Sequence, residues 1–248
     1  AREMKVLSAR VLEREGAVPF AARQEIKVDS SSSGLPAIVK DLNGDGLPEI
    51  LLPGANKVYW NQGGWKFEHA PLFSHYPTVL VACVAADFNG DGRVDLFALP
   101  EKGQSWLYVT DSNGRFNTQP KAVRVSVSEL EGHSAVTAGD VDGDGDLDIW
   151  VMQYKPPYIG GQFPTPYYNA NDGYPSYLLL NDGRGNFTDA TEAAGLAGKR
   201  FRRSYSGSLV DLDGDGDLDL MNVSDFSGLD LYLNDGKGRF TDITATLG

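Results

Sequence analysis

"GDVDGDGDLDIW", residues 139–150, places Asp140, Asp142, Asp144, Asp146 and Asp148 within nine positions and then turns apolar. Carboxylates this close repel one another, so the phrase costs folding energy unless something offsets it. It is also not alone. "DLNGDGLPE" begins at Asp41, "DFNGDGRVD" at Asp87 and "DLDGDGDLD" at Asp211. The pattern D-x-[DN]-G-D-G-x-x-[DE] is therefore written four times in one chain.

Each copy has the same surroundings. An apolar stretch precedes it ("PAIVK", "VACVAA", "AVTAG", "SGSLV") and a second follows ("EILLPG", "DLFALP", "DIWVMQ", "DLMNVS"). A third stretch ends in a Gly- or Asn-bearing turn that delivers Phe67, Phe116, Phe187 or Phe240 to a fourth extended piece such as "FTDAT". Such residues supply the positive φ angles of tight hairpins. Each unit thus predicts four antiparallel strands, with the acidic phrase between the first two. Four-stranded units recurring at this spacing point to propeller blades. Helical solenoids are excluded by the lack of a 3.6-residue period, save for one helical turn expected near "DATEAAGLAG".

Composition narrows the class. The chain has 248 residues, 41% hydrophobic, with a formal net charge of −12. It is long enough for a sizeable core, and its clustered acids argue against nucleic acid or an anionic membrane as partner. No apolar run is long enough to span a bilayer, and "AREMKVLSAR" does not have the form of a signal peptide. Cys83 lies alone in "TVLVACVAADF", which predicts a small buried hydrophobe and excludes an internal disulfide.

In every acidic phrase, positions 1, 3 and 5 offer side-chain oxygens around a tight turn. Position 7 offers its carbonyl, and position 9 a closing carboxylate. An all-oxygen set suits Ca²⁺, while the lack of His or Cys disfavours zinc and copper. The expected sets are Asp41, Asn43, Asp45, Leu47 and Glu49; Asp87, Asn89, Asp91, Arg93 and Asp95; Asp140, Asp142, Asp144, Asp146 and Asp148; and Asp211, Asp213, Asp215, Asp217 and Asp219. Up to four calcium ions follow, one for each phrase. An EF-hand would need an acid at position 12, where Leu52, Ala98, Val151 and Asn222 stand, and helical flanks.

The phrase and its "LYLNDGKGRFTDIT"-type sequel resemble the FG-GAP or VCBS-type repeats of integrin-α-like β-propellers. The resemblance covers nearly the whole chain. It implies an all-β propeller of four-stranded blades, with calcium in the loop joining the innermost strand to the second and ligand on the opposite face. Two departures stand out: Pro48-Glu49 at the end of the first loop, and too few repeats for the seven-bladed ring usual in that family. The expected units are a partial blade over 1–35 and full blades over 36–76, 77–128, 129–198 and 199–248. They form either part of a larger ring or a small ring closed by the N-terminal strands. Further blades would then come from a longer chain or another chain.

Regularity breaks in the third unit, where residues 154–176 carry Tyr154, Tyr158, Phe163, Tyr167, Tyr168 and Tyr174. The basic "GKRFRRS" with Lys199, Arg200, Arg202 and Arg203 follows in the next inter-unit connection. Strand alternation places both on the edge away from the acidic phrases. Aromatic and Arg side chains there are expected partner contacts, for a protein or glycan ligand. His69, His75 and His133 are expected in inter-unit connections, without a nucleophile beside them. The expectation is a non-enzymatic, calcium-stabilised binding or scaffold module outside the cytoplasm. The rival is a carbohydrate-binding or polysaccharide-lyase-type propeller.

Overall fold

The computed structural model describes residues 36–74, 79–100, 103–116, 119–123, 130–158 and 163–246. The partial blade expected over 1–35 and His75 lie outside them. The first sheet holds β1 (Ile38–Lys40), β2 (Glu49–Leu52), β3 (Lys57–Asn61) and β4 (Phe67–Pro71). The second holds β5 (Leu80–Ala86), β6 (Asp95–Pro100), β7 (Ser105–Tyr108) and β8 (Lys121–Val123). In the third are β9 (His133–Gly139), β10 (Asp148–Gln153), β11 (Tyr177–Asn181) and β12 (Phe187–Asp189). The fourth has β13 (Arg203–Val210), β14 (Asp219–Asp225), β15 (Gly228–Asn234) and β16 (Phe240–Asp242). All four are antiparallel, with strands in chain order.

The register repeats as faithfully as the sequence. Lys40 pairs with Glu49, Ala86 with Asp95, Gly139 with Asp148 and Val210 with Asp219, so each acidic phrase is bracketed by the same rung. Position 12 of each phrase lies in β2, β6, β10 or β14, the strand setting that an EF-hand lacks. His69 and His133 fall inside β4 and β9, not in connections as expected, because the strands reach further than the apolar pattern suggested. The helical turn near residue 190 is present: Ala194 N–H donates to the Ala190 carbonyl (2.8 Å), and a 3-10 turn follows at Ala197–Lys199.

The sheets stand side by side, β1 beside β5, β5 beside β9 and β9 beside β13. Among the described residues they do not close into a ring. Because successive strand residues face opposite ways, the second strand of each inner sheet feeds two cores. Leu96 and Ala98 of β6 join Leu51, Val58 and Phe116 between the first and second sheets, while Phe97 and Leu99 join Ile149, Val151 and Leu179 between the second and third. Trp150 and Met152 of β10 turn to Leu220, Tyr232 and Phe240 of the fourth sheet. Hence β6 and β10 are buried throughout, as strands covered on both faces must be. Cys83 in β5 is a free thiol against the first of these cores, and burial pushes its pKa up to about 12.

Candidate metal loops and the opposite edge

The four acidic loops share one hydrogen-bond scheme. Position 1 accepts two glycine N–H groups: Asp41 from Gly44 and Gly46 (2.8 and 2.9 Å), Asp87 from Gly90 and Gly92 (2.8 and 2.7 Å). Asp140 does the same with Gly143 and Gly145, and Asp211 with Gly214 and Gly216. Both glycines have positive φ in every loop, from 72° at Gly90 to 97° at Gly216, which is why the phrase reads G-D-G. Position 5 then caps the N–H of position 7, as Asp45 does for Leu47 and Asp144 for Asp146 (2.8 and 2.9 Å). Side-chain oxygens are thereby drawn to the inside of the turn.

Position 9 behaves differently from the other ligand positions expected from the sequence. Glu49, Asp95, Asp148 and Asp219 are fully buried, and each accepts the backbone N–H of position 2: Leu42, Phe88, Val141 and Leu212. Asp148 and Asp219 also accept the N–H of Asn181 and Asn234 at the end of the third strand (2.9 and 2.8 Å). This residue ties the loop to its own sheet. Glu49, with one more methylene, makes the same tie at 2.8 Å. Burial pushes Asp95 up to about 6 and Asp148 up to about 7, and it raises Glu49 as well, against the pull of the backbone donors.

The arrangement can hold a hard cation. Among the described residues, ligand oxygens of Asp140, Asp142 and Asp148, and of Asp211, Asp213 and Asp215, lie within 4.8 Å of one another. Partial desolvation and then the neighbouring carboxylates raise Asp142, Asp146, Asp213 and Asp217. An all-oxygen set of clustered carboxylates suits a divalent cation.

Each of the first three loops is also a joint between sheets. Asn181 of the third sheet donates its amide to the Phe88 carbonyl, and Asn234 of the fourth to the Val141 carbonyl (2.9 and 2.7 Å). Gly238 N–H reaches the same Val141 oxygen at 2.9 Å. Leu42, Phe88 and Val141 at position 2 are accordingly buried, whereas Leu212 in the fourth loop is 39% exposed. Sequence reasoning missed these asparagines. Their signal was available, in Asn61, Asn181 and Asn234 at the same place before three turns.

At the opposite edge, residues 163–176, in the link from β10 to β11, are held down by the segment that precedes β13 and by the β14–β15 turn. Ser176 N–H donates to the Arg200 carbonyl (2.8 Å), Gly173 N–H to Phe201 (2.5 Å) and Asn169 N–H to Phe226 (2.8 Å). The insertion and the basic segment are therefore neighbours. The arginines are turned inward, against acids and a ring of the same chain. Arg203 makes a bidentate contact with Asp172 (3.0 and 2.9 Å) and reaches the Lys155 carbonyl; only 3% of the residue is exposed. Arg202 pairs with buried Asp230 (2.8 Å), Lys199 with Asp230 and Asp242, and Arg200 lies over the Tyr177 ring. Buried acids must be neutralised, and these cations do so from within the chain.

The aromatic residues divide. Tyr154 donates its hydroxyl to Asp225 (2.9 Å), and Tyr174 is engaged by Glu131. Tyr158, Phe163, Tyr167 and Tyr168 are exposed, in edge-to-face pairs Tyr158–Phe163 and Tyr167–Tyr168 at 5.3 and 5.2 Å. Phe226, from the β14–β15 turn, extends the patch at 5.4 Å from Tyr167, a contribution that the repeat pattern concealed. Tyr158 and Phe226 have positive φ, unusual for side chains of this size, as does Asn169 between them, and all three belong to this one surface.

Among known structures, the crystal structure of the V. cholerae biofilm matrix protein Bap1 is similar at 20% identity and a TM-score of 0.37, over 82% of this chain and 29% of that one. The Photorhabdus luminescens Tc holotoxin pore is similar at 19% identity and a TM-score of 0.28, over 87% of this chain and 12% of that one. The chain thus spans less than a third of either. No curated protein matches it. A family model for the FG-GAP-like repeat matches residues 41–98, 87–151 and 211–248, and leaves out the stretch with the aromatic insertion and the basic segment. These matches cover more than half of the chain and all four of its acidic loops. The chain belongs to the FG-GAP-like repeat family.

Proposed function

We propose that this chain is a calcium-binding, calcium-stabilised module of propeller-blade type, non-enzymatic, that works outside the cytoplasm as a protein-binding or scaffold unit. The observation that carries the reading is the fourfold recurrence of one inward-turned carboxylate cradle. Positions 1, 3 and 5 would hold the ion with the carbonyls of Leu47, Arg93, Asp146 and Asp217, and the position-9 carboxylates would complete the shell. Bound calcium would neutralise the cluster. The millimolar calcium found outside cells suits loops of modest affinity. No helix of the described residues is long and apolar enough to cross a membrane.

The partner surface in this reading is the exposed patch of Tyr158, Phe163, Tyr167 and Tyr168, flanked by half-buried Phe226, since aromatic anchors carry much of an interface's energy. Further blades, from a longer chain or another one, would bind at the open sheets. A second reading, carbohydrate binding or lyase action, is favoured by the freely exposed rings of Tyr168 and Phe163 (79% and 64%), which could stack on sugars. The test is a protein pull-down beside a glycan array, using the parent chain and a Tyr167→Ala/Tyr168→Ala variant. Loss of protein capture with unchanged melting supports the first reading. Glycan capture lost in the variant supports the second, and turnover of an acidic polysaccharide would make the protein an enzyme.

A further inference from the structure

Phe187 and Phe240 each open a fourth strand, Phe116 lies between β7 and β8, and all three pack into the core shared with the preceding sheet. Phe67 is the remaining member of the series. It lines an apolar groove of about 520 Å³ on the open face of the first sheet, with Val39, Leu47, Ile50 and Trp65. Val39 is 65% exposed and Trp65 77%. The groove is the counterpart of three filled cores.

Trp65 shows what cannot fill it. The turns Asn61–Phe67, Asn181–Phe187 and Asn234–Phe240 are closed by equivalent rungs, so Trp65 stands where Gly185 and Gly238 stand, and Gly114 in the second sheet. The backbone is the same, with φ of 63° at Trp65 against 71°, 68° and 70° at the glycines. In the filled joints this glycine faces the acidic loop of the preceding sheet. A Cβ at Gly114 would run into the Leu42 carbonyl, and Gly238 donates to the Val141 carbonyl. A tryptophan in that place excludes such a loop. Asn61 agrees: its amide reaches Pro48 of its own sheet (3.1 Å), the bond that Asn181 and Asn234 make to Leu147 and Leu218 besides their bonds across the joint.

Whatever covers the groove must therefore bring apolar side chains without an acidic loop. Residues 1–35 have that character. "KVLSARVLEREGAVPFAARQEIKV", residues 5–28, repeats the third-strand, turn, Phe and fourth-strand pattern and lacks the acidic phrase. It is joined to β1, four residues after position 35, at Val39 in the groove wall, so its local concentration there is high. We propose that residues 5–28 of the same chain dock on this groove, and that Trp65 fills the space which an acidic loop occupies in every other joint.

The experiment uses the full chain with Trp65→p-benzoylphenylalanine, irradiated at low protein concentration and mapped by mass spectrometry. Cross-links from position 65 to residues 5–28 of the same molecule are expected. Cross-links to a second copy, to the fourth sheet, or to nothing would overturn the proposal. Acrylamide quenching of the unmodified chain against Trp65→Phe gives an independent reading, with Trp60, Trp106 and Trp150 as the remaining emitters. Docking predicts that the quenchable share of emission is unchanged on losing Trp65. A large loss of that share means that Trp65 is bare, and the proposal fails.

Discussion

Asp45 and Asp144 hold the same place in loops of the same register, yet their own loops treat them differently. Asn43 donates its amide to the second oxygen of Asp45 (3.0 Å), and in the next loop Arg93 pairs with Asp91 at 2.5 Å. In the third and fourth loops position 3 is itself an aspartate. Among the described residues no amide or cationic side chain is hydrogen-bonded to Asp144 or Asp215. The first two loops therefore compensate part of their charge internally, and the last two do not. One backbone thus supports a graded need for an outside cation. A second gradient runs along the chain: loops one to three are covered by the next sheet's turn, while Leu212 leaves the fourth uncovered.

The largest expected effect is the loss of metal. An ion held only by the native state, at a hundredfold its Kd, adds about 2.7 kcal/mol for each site. Chelation should lower the calorimetric melting midpoint by more than about 10 °C; an unchanged midpoint would remove calcium from the account. The pH dependence sharpens this. Folded pKa values of about 6 for Asp95 and about 7 for Asp148 lie above the ordinary carboxyl value, so the native state binds more protons between about pH 4 and 7. Metal-free stability should fall as pH rises through that window. Calcium needs the ionised form, so its stabilising increment should be larger at pH 8 than at pH 5. An increment equal at both would take the position-9 carboxylates out of the metal shell.

Next in size is the joint. Asn181→Ala removes a buried amide that bonds Phe88 and Leu147, and should cost about 2 kcal/mol in urea unfolding. Asn61→Ala removes one exposed bond to Pro48 and one within its own turn, from Gly63, and should cost less, about 1 kcal/mol. Equal losses would mean that the amides serve their own hairpins and not the neighbouring sheet.

A smaller contrast separates the loops themselves. In calorimetric titrations Asp144→Ala should weaken calcium binding several-fold more than Asp45→Ala, because more ligand charge tightens calcium binding. The converse change, Asn43→Asp, should tighten the first site while lowering the metal-free melting midpoint by a few degrees. If Asn43→Asp leaves both unchanged, the context of the strand sets affinity, not loop charge.

The acidic phrase was legible in the sequence because it answers to local rules. Positive φ at positions 4 and 6 demands glycine, and an Asx-type cradle demands Asp or Asn at 1, 3 and 5. The four-stranded units followed from apolar alternation and turn residues for the same reason. What lay beyond reach depended on what stands in front of each unit. Arg202 and Arg203 read as surface charge, because sequence does not show that Asp230 is buried and must be neutralised, or that Asp172 lies within reach of Arg203. Position 9 read only as a closing carboxylate, because its burial beneath the third strand comes from sheet pairing. Trp65 lies in the first of the four turns, and its exposure turns on whether another unit faces it. Local backbone chemistry decided the loops, the hairpins and the family. Tertiary packing alone decided which charges are consumed inside the molecule and which faces stay open, because burial depends on neighbours that no stretch of sequence contains.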